Sequence, residues 1–192
     1  MLRQRDEPLI VYATEKTQAA LEWIASVLKP FCAINWRPIA PKLDWLNQSS
    51  LRGVIWLAGR ISVGAIQLEE SVAFVLGDEA SGKSALIAPA VGTLTKELRA
   101  AAARADVVLF DGTFWSNEEL RAFRPDARSA REMHHLAIWD GTLEFLHGLP
   151  ARRKIYTHIN NTNPILMPGS KERRRVEQAG IEIGFDGMEI AL

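Results

Sequence analysis

The 192-residue sequence predicts one mixed α/β domain, an antiparallel meander followed by alternating strands and helices. Three observations carry that prediction. Between residues 53 and 88, short apolar runs of β type alternate with glycine-bearing turns. From Thr93 onward, apolar runs alternate with helical patterns that open on Ser, Thr or Asp. The length suffices for a full core, and 47% hydrophobic with 24% charged residues is ordinary globular composition.

In chain order, residues 1–8 are charged and patternless, and Pro8 to Ala13 is a short β-type run. Thr14 reads as an N-cap, because Leu21, Ile24 and Leu28 recur at helical spacing until Pro30 stops the helix. Residues 30–50 have no clear period. Val54 to Leu57, a Gly59 turn, Ile61 to Leu68, Ser71 to Leu76, a turn over Gly77 to Gly82, and Ser84 to Ala88 read as antiparallel pairs. Thr93 or Thr95 then caps a helix through Leu98 and Ala102, and Asp106 to Phe110 is a buried-type strand. Ser116-x-x-Glu119 matches the reciprocal capping box of a short helix. Asp140 caps a helix through Leu146, residues 154–158 form a strand, and Ser170 caps a helix that ends at Gly180. Residues 181–190, with Asp186-Gly187 at the centre, predict a closing hairpin.

Composition excludes several function classes. Lys+Arg and Asp+Glu are both 23, so no basic field recommends nucleic acid. Cys32 is the only cysteine, which rules out an internal disulfide or a cysteine-based zinc knuckle. No apolar run approaches the roughly 18 residues of a membrane span, and the charged N-terminus lacks a signal-peptide core. A cytoplasmic protein is expected.

Gly77-Asp-Glu-Ala-Ser-Gly82-Lys83-Ser84 fits the nucleotide-binding pattern G-x-x-x-x-G-K-[ST] letter for letter. That chemistry needs a helix starting at Lys83, whose free amides and dipole hold the phosphates. Pro89 comes too soon for that, since proline inside a helix costs roughly 3 kcal/mol. Asp-Glu-Ala-Ser-Gly between apolar runs is good turn chemistry, and the turn is preferred over the nucleotide loop.

The candidate site gathers elsewhere. Asp111 closes Val-Val-Leu-Phe, His134 and His135 lie in a loop, and His158 closes the apolar run Ile-Tyr-Thr. Ligands collect outside the carboxyl ends of strands in α/β sheets, so these residues are expected to converge. An aspartate with two imidazoles suits zinc or iron, or a metal with one general acid or base. His158 is the chosen metal ligand, with Asp111 and His135 as catalytic candidates. Asn160, Asn161 and Asn163 either fix the loop after His158 as turn residues or hold a polar ligand. His147 is expected to be structural.

At these residues the chain resembles a family. Asp111 to Trp115, Met133-His134-His135-Leu136 and Thr157 to Pro164 are similar to the C-terminal motifs of the pyrroloquinoline quinone (PQQ) synthesis protein B family. Pro89 to Thr93, Arg152 to Lys154, Gly180 to Ile183 and Phe185 to Met188 continue the likeness in the same order, and Pro8 to Thr14 resembles the family near its middle. The resemblance implies a metallo-β-lactamase-like αββα sandwich, here a single partial domain over 1–192 that lacks the family's N-terminal half. It implies that His158 is the last metal-binding histidine, with Asp111 and His135 lining the same pocket. It also implies iron-dependent oxidation or hydroxylation of a tyrosine-derived PQQ precursor, or a carrier role for PQQ.

Two departures shape the expectation. The family's cysteine-rich knob and main His/Asp metal motif have no counterpart in this chain. Its Gly-His-Leu-Pro is here His134-His135-Leu136-Ala137. Metal binding, iron or zinc, is therefore expected to be weak or absent in this chain alone. Uncovered sheet faces are expected to call for a second polypeptide or a homodimer.

Overall fold

The structure, a computed structural model, describes residues 7–38, 55–57 and 61–192. The chain divides into two compact units, Met1–Gly53 and Val54–Leu192. The charged opening residues and the Gly59 turn lie outside the described residues.

In the first unit, β1 (Leu9–Ala13) pairs in parallel with β2 (Ile34–Pro38), and α1 (Glu15–Leu28) connects them. Thr14 caps α1 as expected, its hydroxyl accepting the Thr17 amide at 3.2 Å. β2 falls in the stretch where no period was expected. Its five residues end at a proline, and they alternate only between half-buried and exposed.

The second unit is a seven-stranded sheet in chain order: β3 (Ile55–Leu57), β4 (Ile61–Gln67), β5 (Val72–Asp78), β6 (Lys83–Ala88), β7 (Val107–Asp111), β8 (Arg153–Thr157) and β9 (Glu182–Ile183). The first four strands are the expected antiparallel meander, and β6 to β9 run parallel. The nucleotide-loop letters form the β5–β6 turn. The Gly82 amide donates to the Asp78 carbonyl at 2.8 Å, and Lys83 opens a strand where a phosphate loop needs a helix. This removes the nucleotide hydrolase reading.

Parallel pairing comes from the helices between strands. α2 (Lys96–Arg104) is capped by Thr95, not Thr93, and buries Leu98, Ala101 and Ala102. α3 (Thr142–His147) precedes β8, and α4 (Lys171–Gln178), capped by Ser170, precedes β9. One sheet face carries Ala73, Val75, Leu86, Ala88, Val108, Phe110 and Tyr156, all buried. On the other face Leu76, Ile87 and Leu109 are half-buried and Phe74 is 36% exposed.

Three local expectations are corrected. Ser116 does not cap a helix: the Glu119 amide bonds the Ser116 carbonyl, and a short 3-10 turn runs over Glu119–Ala122. Asp140 ends a 3-10 turn of its own, and Gly141 at φ 124° occupies the cap position of α3. The closing hairpin has its Asp186-Gly187 turn, with Met188 N–H on the Phe185 carbonyl, but no returning strand. Met188, Ile190 and Leu192 instead pack on Ala85, Val107 and Ile155.

Candidate functional site

β7 and β8 are adjacent and in register, Asp111 facing Thr157, so both strands deliver their last polar residues to one edge. The loop after β7 turns back beneath β8 at Gly112, whose amide donates to the Thr157 carbonyl at 2.8 Å. A Cβ there would sit 2.8 Å from the Tyr156 Cβ, so only glycine allows this approach. His158 comes directly after β8, in the left-handed region at φ 54°. That conformation is uncommon outside glycine, with histidine among the residues that adopt it most readily, and here it turns the imidazole toward Asp111.

Asp111 is 1% exposed and its carboxylate is fully used. Oδ1 accepts from the Thr113 amide at 3.0 Å and the Thr113 hydroxyl at 2.6 Å. Oδ2 accepts from the Val91 amide at 2.8 Å and from His135 Nδ1 at 2.7 Å. A carboxylate offers about four acceptor positions, and here all are filled by protein. In the neutral ring His135 therefore carries its proton on Nδ1, and Nε2 keeps the lone pair.

His158 is fixed in the same way. The single proton of the Thr113 hydroxyl faces two oxygens that only accept, Asp111 Oδ1 and the His158 carbonyl at 2.9 Å. His158 Nδ1, 2.8 Å from the same hydroxyl oxygen, is then the donor in that contact. Its Nε2 is bare as well. The two imidazoles lie face to face, centroids 5.5 Å apart and 20° from parallel. Phe114 meets His135 edge-on at 5.8 Å.

One ligand atom from each of Asp111, His135 and His158 lies within 4.8 Å of the others, the spacing of a metal centre. Imidazoles anchored through Nδ1–H to an oxygen are how proteins orient metal-binding histidines. The donor chemistry fits zinc or iron through two nitrogens. The Asp111 carboxylate, with four hydrogen bonds, orients the His135 ring directly and the His158 ring through Thr113. A catalytic zinc site uses three protein ligands, and among the described residues Asp111, His135 and His158 each bring one candidate ligand atom to the cluster.

The other expected residues divide. His134 lies apart from the cluster, at φ 60° and exposed, so the glycine of the related motif would sit there without strain. Asn163 is 1% exposed and committed to the backbone: its Nδ2 donates to the Gly112 carbonyl at 2.8 Å and its Oδ1 accepts the Ile165 amide at 3.1 Å. Asn160 gives its amide N–H to the Thr113 carbonyl at 3.1 Å, its side chain bonds Thr162, and Asn161 is exposed. His147 bonds the Ala179 carbonyl, the structural role expected of it. Sequence reasoning missed Thr113. A hydroxyl two residues after a buried aspartate is a known local turn pattern and was the available signal.

Beside His158 opens a cavity of about 690 Å³, with Leu109, Ile155, Met188 and Ile190 as apolar lining and Thr113 and Asn160 at its polar side. Behind the site, Tyr156 is buried with its hydroxyl 3.0 Å from Thr142, and burial pushes its phenol above the ordinary range.

Comparison with known proteins matches these features. Residues 1–159 match a family model described as a β-lactamase superfamily domain. Coenzyme PQQ synthesis protein B of Cupriavidus necator is 35% identical over 210 aligned positions, covering 100% of this chain and 68% of the relative. Its counterpart from Cupriavidus taiwanensis is 48% identical over 130 residues, 67% of this chain and 43% of the relative. Zinc-bound PqqB from Methylobacterium extorquens superposes with a TM-score of 0.77 at 25% identity, covering 96% of this chain and 63% of that one. No helix among the described residues is long and apolar enough to cross a membrane. The fold is the metallo-β-lactamase fold, and the chain belongs to the coenzyme PQQ synthesis protein B family.

Proposed function

We propose that this chain serves PQQ biosynthesis, in the metal-assisted oxidation or hydroxylation of a tyrosine-derived precursor. The observation that supports the reading most is the pair of imidazoles whose protons are both fixed on Nδ1, leaving two Nε2 lone pairs side by side. His158 and His135 would hold the metal, and Asp111 and Thr113 would set their ring orientation. A bound iron would supply redox capacity and a bound zinc Lewis acidity. If His135 is not itself bound to the metal, its Nε2, backed by the Asp111 carboxylate on Nδ1, would instead take or return a proton. The precursor would lie in the cavity beside His158, against Leu109 and Ile155. As a biosynthetic protein it would work in the cytoplasm.

Two nitrogens bind a metal more weakly than three or four donors. The remaining ligands would come from water, substrate, a second polypeptide or a second copy of the chain. Cobalt(II) titration followed by its d–d absorption tests this. Weak binding is expected, lost in His158→Ala and in His135→Ala and strengthened by a completing partner. Identical titrations for wild type and both variants would sink the metal reading.

A carrier role is the second reading, favoured by the size and apolar lining of that cavity. It requires that the metal-free chain bind PQQ in equilibrium dialysis, and that His158→Ala leave most of this binding in place.

A further inference from the structure

Glu119 is a buried carboxylate, 8% exposed, that the chemistry above does not use. Its two oxygens face different loops. Oε2 accepts the Trp115 amide at 2.6 Å, in the loop that carries Asp111 and Thr113. Oε1 accepts the Thr162 hydroxyl at 2.5 Å, in the loop that carries His158 and Asn160. Because that hydroxyl's proton goes to the carboxylate, its oxygen is free to accept from Asn160 Nδ2, at 2.6 Å. Asn160 closes the circuit, its backbone N–H on the Thr113 carbonyl. Every proton in this ring of contacts has one assignment, and the assignment requires an acceptor at both oxygens of residue 119.

We infer that Glu119 is a positioning residue, which holds the His158 loop against the Asp111 loop and so keeps His158 in its Nδ1–H form with Nε2 bare. The inference rests on the reading of His158 as a metal donor, but the geometry it describes exists without metal. Asn163 clamps the same two loops independently, through its bonds to the Gly112 carbonyl and the Ile165 amide. Loss of the Glu119 link should therefore loosen orientation without opening the fold. In Glu119→Gln one acceptor becomes an NH2 group, which cannot accept from both Trp115 and Thr162. Thr162→Val breaks the circuit from the other loop and leaves the Trp115 bond in place.

The test is long-range 15N–1H NMR of the histidine rings in wild type, Glu119→Gln and Thr162→Val, read together with thermal melts and cobalt(II) titration. His158 should be an Nδ1–H tautomer in wild type and a mixture of tautomers in both variants. His147, outside the circuit, should not change. Cobalt affinity should fall by roughly tenfold in each variant, the scale seen when outer hydrogen-bond partners of ligands are removed. If both variants melt lower while the His158 tautomer and cobalt affinity match wild type, Glu119 is structural only and the inference fails. If Glu119→Gln does not fold, Thr162→Val decides by the same two readouts. If the tautomer shifts in the variants while even wild type ignores cobalt, the positioning role stands and the metal reading falls.

Discussion

Two loops of this chain leave a strand through an aspartate next to glycine, and only one of them builds a site. The run Gly77 to Ser84 matches a phosphate-binding pattern in every letter, yet it is the end of β5, an exposed turn over 79–82 and the start of β6. After β7 the run Asp111-Gly-Thr matches no general motif, yet its carboxylate takes four hydrogen bonds and holds His135, and its threonine hydroxyl holds His158. The difference lies in the neighbouring strand and its direction. The first loop returns along its own neighbour strand, so residues close in sequence face each other there, Asp78 opposite Lys83. The second sits beside a parallel strand ending at the same edge, so groups distant in sequence converge on it.

Breaking the second loop should have the largest effect. Asp111→Ala leaves the Val91 and Thr113 amides and the His135 ring N–H without their acceptor, and the Thr113 hydroxyl with only the His158 carbonyl. Removing one partner of such a buried charged network costs about 3–5 kcal/mol. Urea denaturation should show that loss, with cobalt binding abolished in whatever remains folded. A change below about 1 kcal/mol would mean the carboxylate is not the hub described.

A pair of glycine variants sharpens the contrast. Gly112→Ala drives a methyl to 2.8 Å from the Tyr156 Cβ and 3.2 Å from the Thr157 carbonyl, an overpacking cost of about 1–3 kcal/mol. Gly82→Ala meets nothing within 4 Å, and only its φ of 69° penalises it, by roughly 1 kcal/mol. Cobalt binding should weaken in the first variant and be unchanged in the second. Equal effects on binding would erase the distinction between the loops.

How much of this was legible beforehand depended on whether the signal was local. The meander, the Thr14 and Ser170 caps and the strand end at Asp111 rest on residues within one turn or one pair, and the structure contains them, whereas the strand expected over 154–158 runs from Arg153 to Thr157 and leaves His158 just beyond it. The convergence of Asp111, His135 and His158 came from the rule about strand ends. The failures have a common cause. Met188, Ile190 and Leu192 alternate like a strand because a tail lying across Ala85, Val107 and Ile155 obeys the same period as a strand in the sheet. Glu119 looked like half of a capping box because the pattern cannot show which amide it reaches. It takes Trp115 and Thr162, and the latter is 43 residues away. Thr113 is the clearest loss, since the proton it places on His158 depends on a neighbour 45 residues later.

The far end of β8 offers a milder comparison. Arg153 holds Glu182 through two contacts, at 2.8 and 2.7 Å, and these hydrogen bonds keep the Glu182 carboxyl below its usual value of 4.5. A lowered native pKa contributes stability above the unfolded value, and that contribution is lost as pH falls through the native one. The pair is partly exposed, so Glu182→Gln should cost only about 0.5–1 kcal/mol at neutral pH, nothing once the wild-type carboxyl is protonated, and less in high salt. Denaturation curves across the acid range check this. The His158 ring signals should not change, because the ion pair stands at the opposite end of the strand.

The smallest effect belongs to the residue with the strongest motif. Lys83 opens β6, is exposed, and pairs across the turn with Asp78. In a phosphate loop a lysine's charge matters because a helix N-terminus and a ring of amides aim at the same anion. Here the next backbone amide, Ser84 N–H, is already spent on Asp106 at 2.8 Å. Among the described residues no helix N-terminus starts at Lys83, which is exposed, so Lys83→Ala should stay within about 0.5 kcal/mol of wild type and leave cobalt binding as it was. Titration with ATP or GTP should give no saturable binding in either protein. A lysine-dependent nucleotide complex would require the β5–β6 turn to refold into a helix start, against the antiparallel register that fixes Asp78 opposite Lys83.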